Sequence, residues 1–218
     1  MSYSLNTTII NLLEKQKPDN AVILCHGYGG DGKDISILAN YWKNYLPKTV
    51  FICPDAPEKC AVSPTGFQWF DLMDQTSDEI LTKSLVAEIK LNTLIDEVKE
   101  EFNISADKII LSGFSQGCMI SLQTGLKRED KINSIIGYSG KIIDTQHIEN
   151  NIKSRPDIIL MHGDKDEVVP VSFLLEAKEL FSRIDYKIQT KIFQNCEHRI
   201  PQEGSSLGLE FIKKKIIL

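Results

Sequence analysis

The chain has 218 residues, of which 42% are hydrophobic and 25% are charged, and its formal net charge is −5 at pH 7. This composition is ordinary for a globular protein, and the length predicts one domain over residues 1–218. The negative net charge argues against nucleic acid as a partner. No apolar stretch approaches the length of a membrane-spanning helix, which argues against stable membrane insertion.

The five cysteines indicate a reducing compartment. Their number is odd, and no two of them form a C-x-x-C pair. This pattern is typical of small buried hydrophobic residues and not of a disulfide framework. The first ten residues, MSYSLNTTII, lack the basic region and the apolar stretch of a signal peptide. We therefore expect a cytoplasmic protein.

In chain order, continuous apolar runs predict the strands of a parallel sheet, because such strands are covered on both faces. The runs are 21–25, 49–53, 108–113, 134–140 and 157–163, and a more mixed segment, 186–193, is expected near an edge. Helical spacing predicts helices at 78–102, 116–126, 172–184 and 203–215, with Ser172 as a candidate N-cap of the third. This alternation predicts an α/β fold with a mostly parallel central sheet, helices on both faces and ligands at the carboxyl ends of the strands.

The first run is followed by a glycine-rich segment, HGYGGDGKD, at residues 26–34. It contains the dinucleotide pattern G-x-G-x-x-G, and Asp55 ends the next apolar run where a ribose-binding acid could lie. It also contains G-x-x-x-x-G-K, a P-loop without its final Ser or Thr. A third interpretation is a loop whose backbone N–H groups stabilise an oxyanion. The three interpretations predict different enzymes.

Residues 54–71 fit neither the helix nor the strand period and carry three prolines before Gly66. A long irregular loop in a compact domain is usually functional or mobile. Two aromatic residues in it, Trp69 and Phe70, are candidates for an acyl-binding wall of a substrate pocket. The alternative is that they are core residues that anchor the loop.

The pattern G-F-S-Q-G at residues 113–117 lies between a predicted strand and a predicted helix. This is the nucleophile elbow G-x-S-x-G, in which a strained strand-to-helix turn presents the serine above the edge of the sheet. The two glycines leave room for the tight turn. Ser115 is therefore the candidate nucleophile, and the N–H of Gln116 at the helix N-terminus is a candidate oxyanion donor.

A serine nucleophile needs a base, and the chain has four histidines. His26 and His162 end apolar strands and precede glycine, so structural roles are expected for them. His147 lies in a polar segment, and a surface position is expected. His198 follows the last predicted strand and precedes the final helix, where an α/β-hydrolase carries its histidine, so His198 is the candidate base.

The acid that orients the histidine is expected in the segment HGDKDEVVP, directly after the strand 157–163. Both Asp164 and Asp166 lie there. The order Ser115, then an aspartate, then His198 is the order of an α/β-hydrolase triad. Spacing alone does not separate the two aspartates.

These motifs, together with LCHGYGGDG, PDAP, WFDL and HRIPQEG, span nearly the whole chain. The chain resembles the phospholipase/carboxylesterase family, which includes the acyl-protein thioesterases and has the α/β-hydrolase fold. The family pattern H-G-x-x-D-x-x-V-P implies that Asp166 is the triad acid, and the H-G-x-G loop implies that the N–H of Tyr28 joins that of Gln116 in the oxyanion hole. Two features depart from the family: Glu197 stands where a small residue is common, and EKCAVSPT differs from the usual loop.

The resemblance implies a serine hydrolase that cleaves carboxylic esters or thioesters through an acyl-enzyme, with no metal and no cofactor. The expected substrate is a small-molecule ester or an acyl-thioester, with lipidated proteins and lysophospholipids as candidates. The main alternative is a lysophospholipase or a broad small-ester esterase, and a non-catalytic binding protein with the hydrolase fold is a further one. A monomer or weak homodimer is expected. The oxyanion interpretation of the glycine-rich segment agrees with this, because Asp31 and Asp34 would repel a phosphate and Asp34 replaces the Ser or Thr of a P-loop.

Overall fold

The computed structural model describes residues 3–12, 17–73 and 75–216. The strands are β1 (Thr7–Ile10), β2 (Asn20–Cys25), β3 (Thr49–Pro54), β4 (Glu58–Lys59), β5 (Phe67–Gln68), β6 (Ile109–Phe114), β7 (Ser134–Tyr138), β8 (Asp157–Gly163) and β9 (Gln189–Phe193). The helices are α1 (Gly32–Trp42), α2 (Ser77–Phe102), α3 (Gln116–Lys127), α4 (Thr145–Asn151), α5 (Ser172–Arg183) and α6 (Gln202–Ile216).

Within these residues, one seven-stranded sheet has the strand order β1-β3-β2-β6-β7-β8-β9. β1 pairs antiparallel with β3, and the other neighbours in the sheet are parallel. The predicted α/β fold with a mostly parallel sheet is confirmed. Because β2, β6 and β8 run in the same direction, their carboxyl ends lie at one edge of the sheet, where ligands of such folds bind.

Two apolar layers cover the sheet. On one face α2, α3, α4 and α5 contribute residues such as Leu91, Ile120 and Phe181 to one buried cluster. On the other face α1 and α6 contribute Trp42 and Phe211 to a second cluster. The expectation of helices on both faces is therefore confirmed. No helix in the described ranges combines the length and the apolar composition needed to cross a membrane.

The predicted helices and parallel strands agree with the structure to within a few residues, and β9 lies at the sheet edge as expected. Ser172 is not the N-cap of its helix, because the helix begins at Ser172 and Val171 takes the cap position. The segment 54–71 is not wholly irregular, since β4 and β5 form a short antiparallel pair within it. β1, α1 and α4 were not predicted.

Candidate active site

The turn between β6 and α3 presents Ser115 at the carboxyl edge of the sheet. Ser115 has φ 54° and ψ −118°, a positive-φ backbone conformation that is strained for a residue with a side chain. Its N–H donates to the carbonyl of Tyr138 at 2.8 Å, which ties the turn to the neighbouring strand β7. The sequence pattern predicts such a strained elbow, and the structure contains it.

The two glycines of the elbow are required by close backbone contacts. A Cβ atom on Gly113 would lie 2.2 Å from the carbonyl oxygen of Gly117, and one on Gly117 would lie 2.0 Å from the carbonyl oxygen of Cys25. Both distances are far below van der Waals contact. The first turn of α3 can therefore pack against the ends of β2 and β6 only because both positions lack a side chain.

The structure brings Ser115, His198 and Asp166 into one hydrogen-bonded chain. His198 Nε2 lies 3.0 Å from Ser115 Oγ, and His198 Nδ1 lies 2.7 Å from Asp166 Oδ2. Because a carboxylate accepts and does not donate, Nδ1 carries the proton and Nε2 is free to accept the proton of the serine hydroxyl. This is the arrangement of a nucleophile, a base and an orienting acid.

His198 lies on the loop between β9 and α6. Its ring packs on Phe114, the last residue of β6, with the ring centroids 4.8 Å apart. Its side chain is 17% exposed, whereas the side chains of its hydrogen-bond partners lie deeper, with Asp166 fully buried. One side of the imidazole is thus supported by protein, and another faces solvent and any bound substrate.

The two aspartates after β8 have different contacts. Asp166 Oδ1 accepts the backbone N–H groups of Val168 and Val169 at 3.0 and 2.8 Å, in addition to the His198 bond on Oδ2. Burial acts to raise the pKa of Asp166, but the hydrogen bonds from His198 and Val169 outweigh it and hold the pKa below the usual value. Asp164 instead accepts the N–H of Cys196 at 3.3 Å, which fastens the loop that carries His198.

The other histidines occupy different environments. His26 Nε2 accepts the N–H of Ala56 at 2.9 Å, so its Nδ1 donates to the carbonyl of Gly27 at 2.7 Å. His147 is half-buried on α4, with Nε2 3.0 Å from Lys127 Nζ. His162 is buried at the end of β8, and its Nε2 lies 2.7 Å from the carbonyl of Val169. His26 and His147 therefore lie outside the hydrogen-bonded chain of Ser115, whereas His162 lies beside it.

The two N–H groups expected in an oxyanion hole lie on neighbouring turns. The glycine-rich loop approaches the elbow closely, since a Cβ on Gly27 would be 3.3 Å from the Cβ of Ser115. Within the described part of the chain, the N–H groups of Tyr28 and Gln116 have no hydrogen-bond acceptor. Both N–H groups therefore retain donor capacity close to the elbow.

The N-terminus of α1 is closed by carboxylates of the chain itself. Asp31 is the N-cap and accepts the N–H of Asp34 at 2.7 Å, and Asp55 accepts the N–H of Gly32 at 2.9 Å. These two carboxylates occupy the position at which a phosphate would bind a helix N-terminus. The dinucleotide and P-loop interpretations of residues 26–34 are therefore not supported, and Asp55 is a helix cap and not a ribose ligand.

Trp69 and Phe70 are fully buried, so neither side chain has surface to offer an acyl group in this conformation. The Trp69 N–H donates to Gln116 Oε1 at 2.8 Å, and Gln116 Nε2 donates to the Phe70 carbonyl at 2.6 Å. Trp69 Nε1 also donates to the carbonyl of His26 at 3.0 Å. Their burial and these bonds favour the alternative interpretation, in which the aromatic residues anchor their loop.

Three features near this site were not predicted from the sequence. They are the hydrogen bonds of the Gln116 side chain, the packing of the Phe114 ring on His198, and the contact of His162 Nε2 with Asp166 Oδ2 at 3.3 Å. Gln116 and Phe114 flank the nucleophile directly, so their positions in the elbow pattern could have suggested supporting roles. His162 lies four residues before Asp166, and the turn that brings the two together is not visible in the sequence. The Phe114 ring contacts His198 and His162 contacts Asp166, whereas the Gln116 side chain fastens the loop at Trp69 and Phe70.

Comparison with known proteins extends over almost the whole chain. Residues 8–216 match the family model Phospholipase/Carboxylesterase. The chain is 31% identical to acyl-protein thioesterase 1 of Saccharomyces cerevisiae, over 92% of this chain and 95% of that protein. It is 28% identical to acyl-protein thioesterase 1 of Schizosaccharomyces pombe, over 99% of each chain.

Among solved structures, the crystal structure of esterase PE8 superposes with a TM-score of 0.91 and 31% identity, covering 97% of this chain and 99% of that chain. The crystal structure of Zea mays acyl-protein thioesterase 2 superposes with a TM-score of 0.77 over 97% of this chain and 99% of that chain. Its 19% identity supports the shared fold alone.

Proposed function

The chain belongs to the phospholipase/carboxylesterase family, and from this we propose that it is a serine hydrolase that cleaves carboxylic esters and thioesters with Ser115, His198 and Asp166 as its catalytic triad. The observation that supports the triad is the continuous hydrogen-bonded chain from Asp166 through His198 to Ser115, with distances of 2.7 and 3.0 Å. Each member has the hydrogen-bonding role that acyl transfer requires.

In the proposed first half-reaction, Ser115 Oγ attacks the carbonyl carbon of the substrate while His198 Nε2 takes the hydroxyl proton. The N–H groups of Tyr28 and Gln116 donate to the oxyanion that forms on the carbonyl oxygen. Such preorganised donors stabilise the charge at the moment at which it develops. The bond to the alcohol or thiol then breaks, His198 returns the proton to that leaving group, and the acyl group stays on Ser115.

In the second half-reaction, water replaces the leaving group. His198 removes a proton from the water as its oxygen attacks the acyl carbon, and the same two N–H groups hold the second oxyanion. Collapse of this intermediate breaks the bond to Ser115 Oγ, which regains its proton from His198. Asp166 holds the imidazole in one tautomer and stabilises its protonated form in both half-reactions.

We include S-acylated proteins among the substrates, since two relatives that match nearly the whole chain are named acyl-protein thioesterases. Lysophospholipids and small esters are the other candidates within the same chemistry. A cytoplasmic location is supported by the five cysteines, all of which are buried with free thiols. A monomer or weak homodimer remains our expectation for the oligomeric state.

The test is a hydrolysis profile of the purified protein. The substrates are p-nitrophenyl esters from acetate to palmitate, a palmitoyl-thioester peptide and a lysophospholipid, each with the Ser115→Ala variant as control. Turnover of at least one oxygen ester or thioester by the wild type, and its loss in the variant, is the expected result. A folded wild-type protein that hydrolyses none of these substrates would overturn the proposal.

A further inference from the structure

His162 contacts the carboxylate of the candidate triad acid, Asp166, and has no role in the proposed half-reactions. It is the next-to-last residue of β8 and lies four residues before Asp166. The side chain of His162 is 1% exposed and that of Asp166 is 0% exposed. His162 Nε2 lies 2.7 Å from the carbonyl oxygen of Val169 and 3.3 Å from Asp166 Oδ2. The two histidines therefore share one carboxylate oxygen.

The two neighbours of Nε2 determine the tautomer of His162. A carbonyl oxygen and a carboxylate oxygen both accept hydrogen bonds, so Nε2 must carry the proton. This one N–H is shared between two acceptors: the shorter bond is to the Val169 carbonyl, and the longer contact is to Asp166 Oδ2. Among the described residues, four donors then surround this carboxylate: the N–H groups of Val168 and Val169 on Oδ1, and His198 and His162 on Oδ2.

The charge of His162 matters because, in the proposed mechanism, Asp166 must keep its negative charge to stabilise the protonated form of His198. Burial lowers the pKa of His162, although its contacts with Val169 and Asp166 act in the opposite direction. At neutral pH it is therefore an uncharged donor. A neutral N–H orients the carboxylate without cancelling its charge, whereas a second imidazolium would compete with His198 for the same oxygen. The negative charge of Asp166 thus stays available to the protonated form of His198.

We propose that His162 is a positioning residue for catalysis: its Nε2–H holds the Val169 carbonyl and Asp166 Oδ2 together, and this keeps the carboxylate aligned with His198. The inference rests on the proposed function, since it assigns a role in that triad. It differs from a purely structural role, in which His162 would close the turn 163–169 and affect only the stability of the fold.

Two substitutions at His162 separate these roles. His162→Gln keeps an N–H donor, because the amide nitrogen of glutamine is the same number of bonds from the backbone as Nε2. His162→Leu removes the donor and retains an apolar side chain. His147→Leu is the matched control, because it makes the same change at a half-buried histidine of α4, outside the hydrogen-bonded chain of Ser115.

We expect His162→Leu to lower kcat on the order of tenfold, with KM changed less than about twofold, because aligned hydrogen bonds act on the chemical step. The acid limb of its kcat/KM profile should move to lower pH, since a misaligned carboxylate stabilises the imidazolium of His198 less strongly. His162→Gln should stay within about threefold of wild type with an unmoved profile. His147→Leu should match wild type in both readouts.

The inference is overturned if His162→Leu lowers only Tm, while kcat and the pH profile, measured well below that Tm, equal those of the wild type. It is also overturned if His162→Gln is as impaired as His162→Leu, because then the donor is not what matters. If His162→Leu does not fold, the comparison is made between His162→Gln and His162→Asn, whose shorter side chain places its donor out of reach. A wild-type protein without esterase or thioesterase activity would instead contradict the proposed function.

Discussion

Two strand-to-helix turns lie side by side at the carboxyl edge of the sheet, because β2 and β6 are neighbours. Both are rich in glycine, and each leads into a helix. In the turn from β2 to α1, carboxylates of Asp31 and Asp55 accept N–H groups at the start of the helix. The structure describes every residue of the turn from β6 to α3. There the N-cap residue, Ser115, makes no side-chain capping bond.

This difference decides which helix can bind an anion. A helix N-terminus attracts negative charge through its free N–H groups and its dipole. At α1 the chain supplies that charge itself, so the site is closed to ligands. At α3 the N–H of Gln116 is left without an acceptor within the described residues. Glycine spacing alone therefore does not identify an anion site; the neighbouring carboxylates must be considered as well.

The largest expected effect concerns the turn between β6 and α3, called the open turn because its Gln116 N–H has no acceptor within the described residues. Ser115→Ala should lower kcat by about 10⁴ to 10⁶, because loss of a triad member leaves only the oxyanion hole and binding to act. The melting temperature should be nearly unchanged, since Ser115 Oγ does not cap α3 and its hydrogen bond is to His198. Steady-state kinetics and thermal unfolding measure the two quantities. A variant with more than about a tenth of wild-type kcat would show that the open turn does not carry the nucleophile.

The second prediction extends the comparison to the turn after β8, where we propose a chemical role for one aspartate, Asp166, and a structural role for the other, Asp164. Asp166→Asn should lose on the order of 10³-fold or more in kcat/KM, because an amide keeps the shape but favours the wrong tautomer of His198. Asp164→Asn should stay within about tenfold, a change of about 1.4 kcal/mol. Melting temperatures of both variants separate lost catalysis from unfolding. The reverse ranking of the two variants would show that the triad acid is misassigned.

The third prediction concerns the turn between β2 and α1, called the closed turn because Asp31 and Asp55 accept its N–H groups. Asp31→Ala removes the N-cap of α1 and should cost about 1 kcal/mol of stability. For a protein of this size, this lowers Tm by about 2–4 °C. Activity below the melting transition should stay within about threefold of wild type, since Asp31 contacts the N–H of Asp34 and no residue of the candidate triad. A loss of activity above tenfold with unchanged Tm would show that this turn also takes part in the chemistry.

The smallest expected effect is the pH dependence of stability. Burial lowers the pKa of His26, at the start of the closed turn, and of His162. The unfolded chain therefore binds protons at these sites at a higher pH than the folded protein does. Their contribution to stability is fully present above about pH 6.5, the usual value for histidine, and is lost as the pH falls below it.

Thermal unfolding between about pH 8 and pH 5 measures this effect. Tm should fall on the acid side, and it should fall less in His162→Gln, which has no titrating ring. An equal or steeper fall in this variant would mean that His162 is already protonated in the folded protein, contrary to its burial.

The sequence predicts the strands β2, β3, β6, β7 and β8 because each is a continuous apolar run, and it predicts α2 because its apolar residues recur at helical spacing. α1 was not predicted because it begins inside the glycine motif, where the glycines indicate a loop. β1 is four residues long and its two threonines give no apolar run. Short elements of this kind are stabilised by their neighbours in the fold and not by their own pattern.

The same limit applies to the candidate site. Ser115 and His198 follow from their motif and their position after a strand, because both signals are local. The burial of Trp69 and Phe70 depends on bonds to Gln116 and His26, which lie far away in the chain. The contact between His162 and Asp166 depends on the shape of one turn. Contacts of these kinds have no sequence pattern and need the folded structure.

The most direct test of the central claim, that the open turn before α3 presents the nucleophile, is covalent labelling with a fluorophosphonate followed by peptide mapping. Cleavage after lysine places Ser115 in the peptide 109–127 together with Ser112 and Ser121, so fragmentation must locate the adduct. We predict one adduct per chain, on Ser115, and none in Ser115→Ala. An adduct on another serine, or equal labelling of the variant, would contradict the account.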